Sequence, residues 1–177
     1  MKKIGIAILG CGTVGSEVVR LLARDGSGLE LVWIAVRSAG QRRSRFIPRR
    51  LVTTRADRLV RDERVAVVVE LIGGTGAAWR LQQTALRAGK SIVTANKALI
   101  DAHGDRLFEL ARRQGAHLAF HDRRKVMKRE VNPVIGHTVL RKIVCAYFFA
   151  AVPRADLVAS VLGKFLMLAF LHLLQQA

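Results

Sequence analysis

Short runs that are apolar at nearly every position alternate, from residue 4 to residue 120, with longer stretches whose apolar residues recur at helical spacing. The pattern predicts strands over 4–10, 30–37, 65–72, 91–95 and 117–120, and helices over 13–24, 56–62, 77–88 and 103–114. The stretch 38–55, which contains Pro48, is predicted to be mostly loop. Strands that are apolar throughout and alternate with helices are typical of a parallel sheet buried on both faces. The predicted fold class is therefore α/β, with a doubly wound parallel sheet.

A glycine-rich turn follows the first predicted strand and reads Gly10-Cys11-Gly12-Thr13-Val14-Gly15. In such a motif Gly10 permits the tight turn from strand to helix, and Gly12 lacks a Cβ that would keep the backbone away from a pyrophosphate. Gly15 lets the helix pack closely on the strand. The helix N-terminus offers free N–H groups and the positive end of its dipole to phosphates. The motif predicts a Rossmann-type dinucleotide site, against the alternative of a glycine-rich turn that binds nothing.

The formal net charge of the chain is +17, and much of it comes from one arginine-rich region. Between residues 37 and 64, ten arginines face three acidic residues. Such a charge can attract nucleic acid or an anionic membrane. Only 6% of the residues are aromatic, so the region lacks the stacking platform that single-strand binders use. We predict no specific nucleic-acid partner. The arginines are interpreted as a solvated surface or, alternatively, as a phosphate-attracting rim beside the cofactor cleft.

The two cysteines, Cys11 and Cys145, make neither a disulfide framework nor a metal site. They favour a reducing compartment. The chain opens with Met1-Lys2-Lys3 and a strand, without the pattern of a cleavable signal peptide. We therefore expect a cytoplasmic protein with no metal.

Two further blocks carry a resemblance to a known family. They are Val69-Glu70-Leu71-Ile72-Gly73-Gly74 and the run from Ala85 to Ile100, which contains Thr94-Ala95-Asn96-Lys97. With the glycine-rich turn, they make the chain resemble the nucleotide-binding half of homoserine dehydrogenase over residues 3–120. The resemblance implies an NAD(P)-dependent oxidoreductase that interconverts aspartate 4-semialdehyde and homoserine, in threonine and methionine biosynthesis.

The resemblance also implies roles for particular residues. Thr13 and Val14 would line the cofactor cleft with the glycines, and Gly73, Gly74 and Thr94 would lie along the nicotinamide side. Lys97 matches the lysine that the family places at the reaction centre. Its ammonium can stabilise developing alkoxide charge or take part in proton transfer. Without the resemblance, Lys97 would be an ordinary surface lysine at a junction of strand and helix.

The end of the second predicted strand, Val36-Arg37-Ser38, bears on the choice of cofactor. A Rossmann site that prefers NAD usually has an acidic residue here for the ribose 2′-hydroxyl. Arginine with a neighbouring hydroxyl suits a 2′-phosphate better. We therefore expect NADP(H) to be preferred, with NAD(H) as the alternative if Arg37 simply points to solvent.

The similarity stops after Phe120, which divides the chain into a dinucleotide-binding domain, 1–120, and an unmatched tail, 121–177. The tail is basic at first and then apolar. We expect it to be mostly helical or disordered, and we interpret it as the product of a truncated, rearranged or frame-shifted C-terminus. Its segment 157–174 is apolar but contains Lys164, which costs ~2.5–3.5 kcal/mol near a bilayer centre. Packing on the sheet or on a second chain is favoured over membrane contact, and homodimerisation stays open.

The family pattern continues with a substrate domain that this tail does not match. We therefore predict an incomplete homoserine dehydrogenase with little activity alone. The alternatives are a non-catalytic dinucleotide-binding module and a basic protein that binds nucleic acid or a membrane surface.

Overall fold

The computed structural model of the protein describes residues 3–23, 28–40 and 44–120. These residues form a six-stranded sheet with the strand order β3-β2-β1-β4-β5-β6. The strands are β1 (Ile4–Leu9), β2 (Leu29–Ala35), β3 (Val52–Thr53), β4 (Val67–Glu70), β5 (Ser91–Thr94) and β6 (Leu118–Phe120). The helices are α1 (Thr13–Ala23), α2 (Ala56–Leu59), α3 (Gly76–Arg87) and α4 (Lys97–Arg113). All five strand pairings are parallel, which confirms the predicted doubly wound sheet.

Alternate side chains of the central strands point to opposite faces of the sheet, and each face carries its own apolar core. On one face, Ile6 and Ile8 of β1 pack in a cluster with Val18, Val19 and Leu22 of α1. On the other, Ala7 and Leu9 belong to a cluster that includes buried residues of α3 and α4, among them Leu81, Ala85, Leu99 and Leu107. Both faces are covered by helices, which is why these strands are apolar at every position.

The predicted elements differ from the structure in a few places. The helix expected over 56–62 ends at Leu59. The stretch 38–55 is mostly loop within the described residues, as expected, but it also contains a 3₁₀ turn (Arg49–Leu51) and the edge strand β3. Strand β3 pairs with Ile34 and Ala35 of β2, and its Thr53 carbonyl accepts a hydrogen bond of 2.8 Å from the Val36 N–H. A strand of two residues is too short to show a period in the sequence.

The helix expected over 103–114 begins six residues earlier, at Lys97. Asn96 caps it, because its side-chain oxygen accepts a hydrogen bond of 3.2 Å from the Leu99 N–H. The helix therefore starts almost directly after β5, with only Ala95 and Asn96 between them.

No helix within the described ranges is both long and apolar enough to cross a membrane. The expectations about 121–177, including the apolar segment 157–174, concern residues outside those ranges.

Candidate dinucleotide site at the carboxyl edge of the sheet

The glycine-rich turn joins β1 to α1 at the carboxyl edge of the sheet, next to the point where the strand order reverses between β1 and β4. Gly10 has a φ of +98°, and a Cβ placed on it would lie 2.8 Å from the Leu71 carbonyl oxygen. Its N–H donates a hydrogen bond of 2.9 Å to the Ala35 carbonyl. Gly10 is thus held between β2 and the end of β4, in a conformation that a side chain would strain.

The other two glycines of the motif meet different surroundings. A Cβ on Gly15 would overlap the Gly10 carbonyl oxygen, whereas a Cβ on Gly12 would have no heavy atom within 4 Å. Gly12 and Thr13 are exposed, and Val14 is half-buried. The first N–H groups of α1 have no acceptor within the helix. The turn is therefore closed on its inner side and open above Gly12, as an anion site at a helix N-terminus requires.

A second glycine-rich segment follows β4 at the same edge. Gly73 and Gly74 have φ values of +70° and +68°, and both are exposed with open space where a Cβ would lie. Strand β4 pairs with β1 in parallel, so this segment lies beside the Gly10–Gly15 turn. A backbone without side chains at two successive positions leaves room for a ligand to approach it.

Glu70 at the end of β4 is fully buried and accepts four hydrogen bonds. Its Oε1 accepts from the N–H groups of Ile72 and Gly73, at 2.8 and 3.2 Å. Its Oε2 accepts from Gln82 Nε2 at 3.0 Å and from the Thr94 hydroxyl at 2.6 Å. Two oxygens that each accept two bonds satisfy the capacity of a carboxylate.

The bonding continues from Glu70 to the start of α4. Thr94 is fully buried, and its hydroxyl oxygen also accepts a bond of 3.0 Å from the Asn96 N–H. The Asn96 side-chain amide donates a bond of 2.6 Å to the Gly74 carbonyl. Lys97, the first residue of α4, is exposed beside this network. Lys97 and the Gly73–Gly74 segment therefore follow neighbouring parallel strands and are tied together by Asn96.

Arg37 and Ser38 follow β2, the strand on the other side of β1, and both are exposed. The fold thus brings every residue that the sequence singled out to one edge. The glycine turn follows β1, Gly73 and Gly74 follow β4, Thr94 and Lys97 lie at the end of β5, and Arg37 follows β2. Thr94 alone among them has a fully buried side chain, and its hydroxyl donates a hydrogen bond to Glu70.

Sequence reasoning missed Glu70 and Asn96 as members of this site. A charged residue that closes an apolar strand, directly before two glycines, is a signal that could have identified Glu70. An Asn one residue before a helix is a capping signal that could have identified Asn96.

Two carboxyl groups outside this site have strongly shifted pKa values. Hydrogen bonds from Arg64, and one from Trp33, hold the pKa of Asp62 well below the usual range of aspartate. Hydrogen bonds from Arg112 and Arg113 lower the pKa of Glu109 to about 2. Both carboxyls are paired with arginine on the protein surface.

The chain is similar to known proteins over the same residues that form this edge. A family model described as the NAD binding domain of homoserine dehydrogenase matches residues 10–121. Homoserine dehydrogenase of Corynebacterium glutamicum is 42% identical over 125 residues, which cover 66% of this chain and 28% of that protein. The corresponding protein of Bacillus subtilis is 33% identical over 128 residues, or 68% of this chain and 30% of that one.

Solved structures of the same family superpose on the chain. A crystal structure of homoserine dehydrogenase from S. aureus has a TM-score of 0.65 at 32% identity and covers 68% of this chain and 32% of its own. The structure from Thiobacillus denitrificans has a TM-score of 0.58 at 35% identity, covering 68% of this chain and 30% of its own. The chain therefore spans less than a third of the length of these relatives.

Proposed function

The chain belongs to the homoserine dehydrogenase family, and on this basis we propose that its carboxyl edge binds a nicotinamide dinucleotide for hydride exchange with a small carbonyl compound. The observation that carries the proposal is the open space above Gly12 at the start of α1, in a turn that Gly10 and Gly15 otherwise close. A pyrophosphate fits that space, because free backbone N–H groups and the helix dipole both favour an anion there.

The chain's residues have separate parts in this proposal. The Gly10–Gly15 turn, with Thr13 and Val14, binds the pyrophosphate, and the side-chain-free backbone of Gly73 and Gly74 admits the nicotinamide end. When bound, the dinucleotide supplies or accepts the hydride. Thr94 contributes through its place at the end of β5, since its hydroxyl is engaged by Glu70 and Asn96.

Lys97 is the proposed catalytic residue. Its exposed position at the start of α4 is next to the Gly73–Gly74 segment, to which Asn96 is bonded. An ammonium at that place stabilises negative charge on a carbonyl oxygen as hydride arrives, or returns a proton to it. The substrate pair proposed from the family is aspartate 4-semialdehyde and homoserine, which belongs to threonine and methionine biosynthesis in the cytoplasm.

NADP(H) is the proposed preferred cofactor, with NAD(H) as the alternative. Arg37 is exposed after β2, where an acidic residue would favour the 2′-hydroxyl of NAD. Ser38 beside it offers a hydroxyl. A guanidinium binds phosphate oxygens through two parallel N–H donors, which suits a 2′-phosphate.

A second candidate function is dinucleotide binding without turnover. It is favoured by the extent of the similarity, which covers 28% of the Corynebacterium relative and includes the nucleotide-binding residues only. Hydride transfer needs the substrate held in a near-attack geometry, which can lower the activation free energy by about 7–11 kcal/mol. The match to the family model covers residues 10–121, the part named for NAD binding, and on this basis we propose little turnover by the 177-residue chain alone.

Calorimetric titration with NADPH tests the binding proposal. Wild-type protein is expected to bind, and Gly12→Val is expected to abolish binding by filling the space of the pyrophosphate. Ala23→Val is the matched control, because it places a valine side chain at the exposed far end of α1. Equal binding by wild type and Gly12→Val would refute the proposal.

A further inference from the structure

Glu70 links segments that are far apart in the sequence. Its carboxylate accepts hydrogen bonds from the Ile72 and Gly73 N–H groups, which belong to the segment after β4. It also accepts one from the Thr94 hydroxyl, at the end of β5. Gln82 reaches the same carboxylate from α3. One fully buried charge therefore touches two of the segments that form the carboxyl edge.

The hydrogen bonds close into a ring. From Glu70 the ring runs through Thr94 to the Asn96 N–H, and from the Asn96 side chain to the Gly74 carbonyl. From Gly74 it returns along the backbone to the Gly73 N–H and to Glu70. Asn96 also caps α4 by accepting from the Leu99 N–H. The start of the helix that carries Lys97 is thus part of the ring.

We propose that Glu70 is a positioning residue, which holds the Gly73–Gly74 segment and the Asn96–Lys97 turn in one fixed arrangement. The backbone that faces the dinucleotide and the ammonium that faces the carbonyl compound are then aligned by the same buried carboxylate. The role of this arrangement in cofactor binding and catalysis rests on the proposed function. The coupling itself is a property of the chain without any ligand.

Such a tether has a physical reason at this place. Gly73 and Gly74 adopt left-handed conformations with no heavy atom near the position of either Cβ, so side-chain packing does not hold them. Glycine also loses more conformational freedom on ordering than any other residue. Charge-assisted hydrogen bonds from backbone N–H groups to a carboxylate are stronger than neutral ones and can offset that entropy. Losing the carboxylate would also leave the buried donors of Gln82 and Thr94 unpaired, which is unfavourable.

Amide hydrogen exchange in the full chain, followed by NMR without ligand, tests the coupling through its cross effects. Glu70→Gln changes the acceptor of Ile72 and Gly73 directly, so the informative amides are Asn96 and Leu99. Thr94→Val removes the acceptor of Asn96 directly, so the informative amides are Ile72 and Gly73. We expect these distant amides to exchange about tenfold faster in each variant.

Two controls separate positioning from a general loss of stability. Thr94→Ser keeps the hydroxyl and is expected to restore slow exchange at Ile72 and Gly73. Gln82→Met removes the donor from α3 and leaves the bonds to both loops, so these amides should keep their wild-type rates. Gln82→Met rates equal to those of Thr94→Val would overturn the proposal, as would unchanged exchange at the distant amides in Thr94→Val. If Glu70→Gln does not fold, Thr94→Val and Thr94→Ser decide the question.

Titration of the same proteins with NADPH keeps this proposal distinct from the proposed function. Glu70 has no exposed surface, so it cannot touch the dinucleotide, yet Glu70→Gln is expected to weaken NADPH binding about tenfold. If the variants show the cross effects on amide exchange but the wild-type protein binds neither NADPH nor NADH, the positioning role is supported and the proposed function is refuted. If the wild-type protein binds NADPH but the distant amides of the variants exchange at wild-type rates, the proposed function is supported and the positioning role of Glu70 is refuted.

Discussion

Gly15 packs directly on Gly10, so closely that a Cβ atom on Gly15 would overlap the carbonyl oxygen of Gly10. Gly12, between them, has open space where its Cβ would lie. The glycines of one motif therefore have different roles. Gly10 and Gly15 close the turn between β1 and α1, and Gly12 leaves the space above it free for a ligand.

Alanine at these positions should separate the two roles. Gly15→Ala forces the turn and the sheet apart, and we expect it to destabilise the protein by about 1–3 kcal/mol, as overpacking does. Gly12→Ala should stay within about 0.5 kcal/mol of wild type, since its methyl group meets no neighbour. Urea unfolding of both variants measures the difference. Equal stability of the two would contradict the packing described for Gly15.

We expect the preference for NADPH over NADH to depend on Arg37. Arg37→Asp is expected to shift the ratio of NADPH to NADH affinity toward NADH by about tenfold or more, because a carboxylate repels a 2′-phosphate and accepts from a 2′-hydroxyl. Arg61→Asp makes the same change of charge on the arginine-rich surface, before β4 and away from the carboxyl edge, and serves as the control. An unchanged affinity ratio in Arg37→Asp would remove Arg37 from the site.

Asp62 makes the free energy of unfolding depend on pH in the acidic range. The Trp33 indole donates a bond of 2.6 Å to Asp62, and Arg64 pairs with the same carboxylate, so the folded state lowers its pKa. A lowered carboxyl pKa stabilises the protein at pH values above the usual aspartate range, and this stabilisation is lost progressively as the pH falls from that range toward the lowered pKa of the folded state. We expect Asp62→Asn to cost about 1 kcal/mol at neutral pH, because Arg64 is largely exposed and screened.

Urea unfolding at about pH 7 and about pH 3 checks the sign, since the gap between wild type and Asp62→Asn should narrow in acid. Asp101→Asn, on the exposed side of α4, is the control and should show no such gap. A gap that widens in acid would contradict the assignment.

Turnover by the 177-residue chain should be low or absent in an assay of NADPH oxidation with aspartate 4-semialdehyde. Lys97 and Lys90 flank the same strand, β5, at its carboxyl and amino ends, so Lys90→Ala is the control for Lys97→Ala. Robust turnover that vanishes in Lys97→Ala and persists in Lys90→Ala would show Lys97 to be catalytic. The same result would contradict the expected inactivity of this chain.

Local patterns were enough to predict most of this fold. Apolar strands such as Val67–Glu70 and the Gly10–Gly15 turn carry their own signals, and the structure confirms the parallel sheet that they predict. Strand β3 was missed because two residues show no period, and its formation depends on the neighbouring edge of β2.

The network around Glu70 is of another kind. Its two side-chain donors, Gln82 and Thr94, are 12 and 24 residues away from Glu70 along the chain, and only the folded sheet brings them to the carboxylate. No local pattern contains that information. The start of α4 was misplaced for a related reason, since Asn96 serves both as its cap and as a partner of Gly74.

Binding of a nicotinamide dinucleotide at the carboxyl edge of this sheet is the proposal from which the others follow. NMR titration of the full chain with NADPH tests it most directly, residue by residue. We expect saturable shifts of the amide resonances of Gly12, Thr13, Gly73 and Gly74. The resonances of Gly89 and Gly115 should stay unchanged, because these two residues precede β5 and β6 at the opposite edge of the sheet. Shifts confined to the arginine-rich surface around Arg49 and Arg58, or no saturable shift at all, would contradict it.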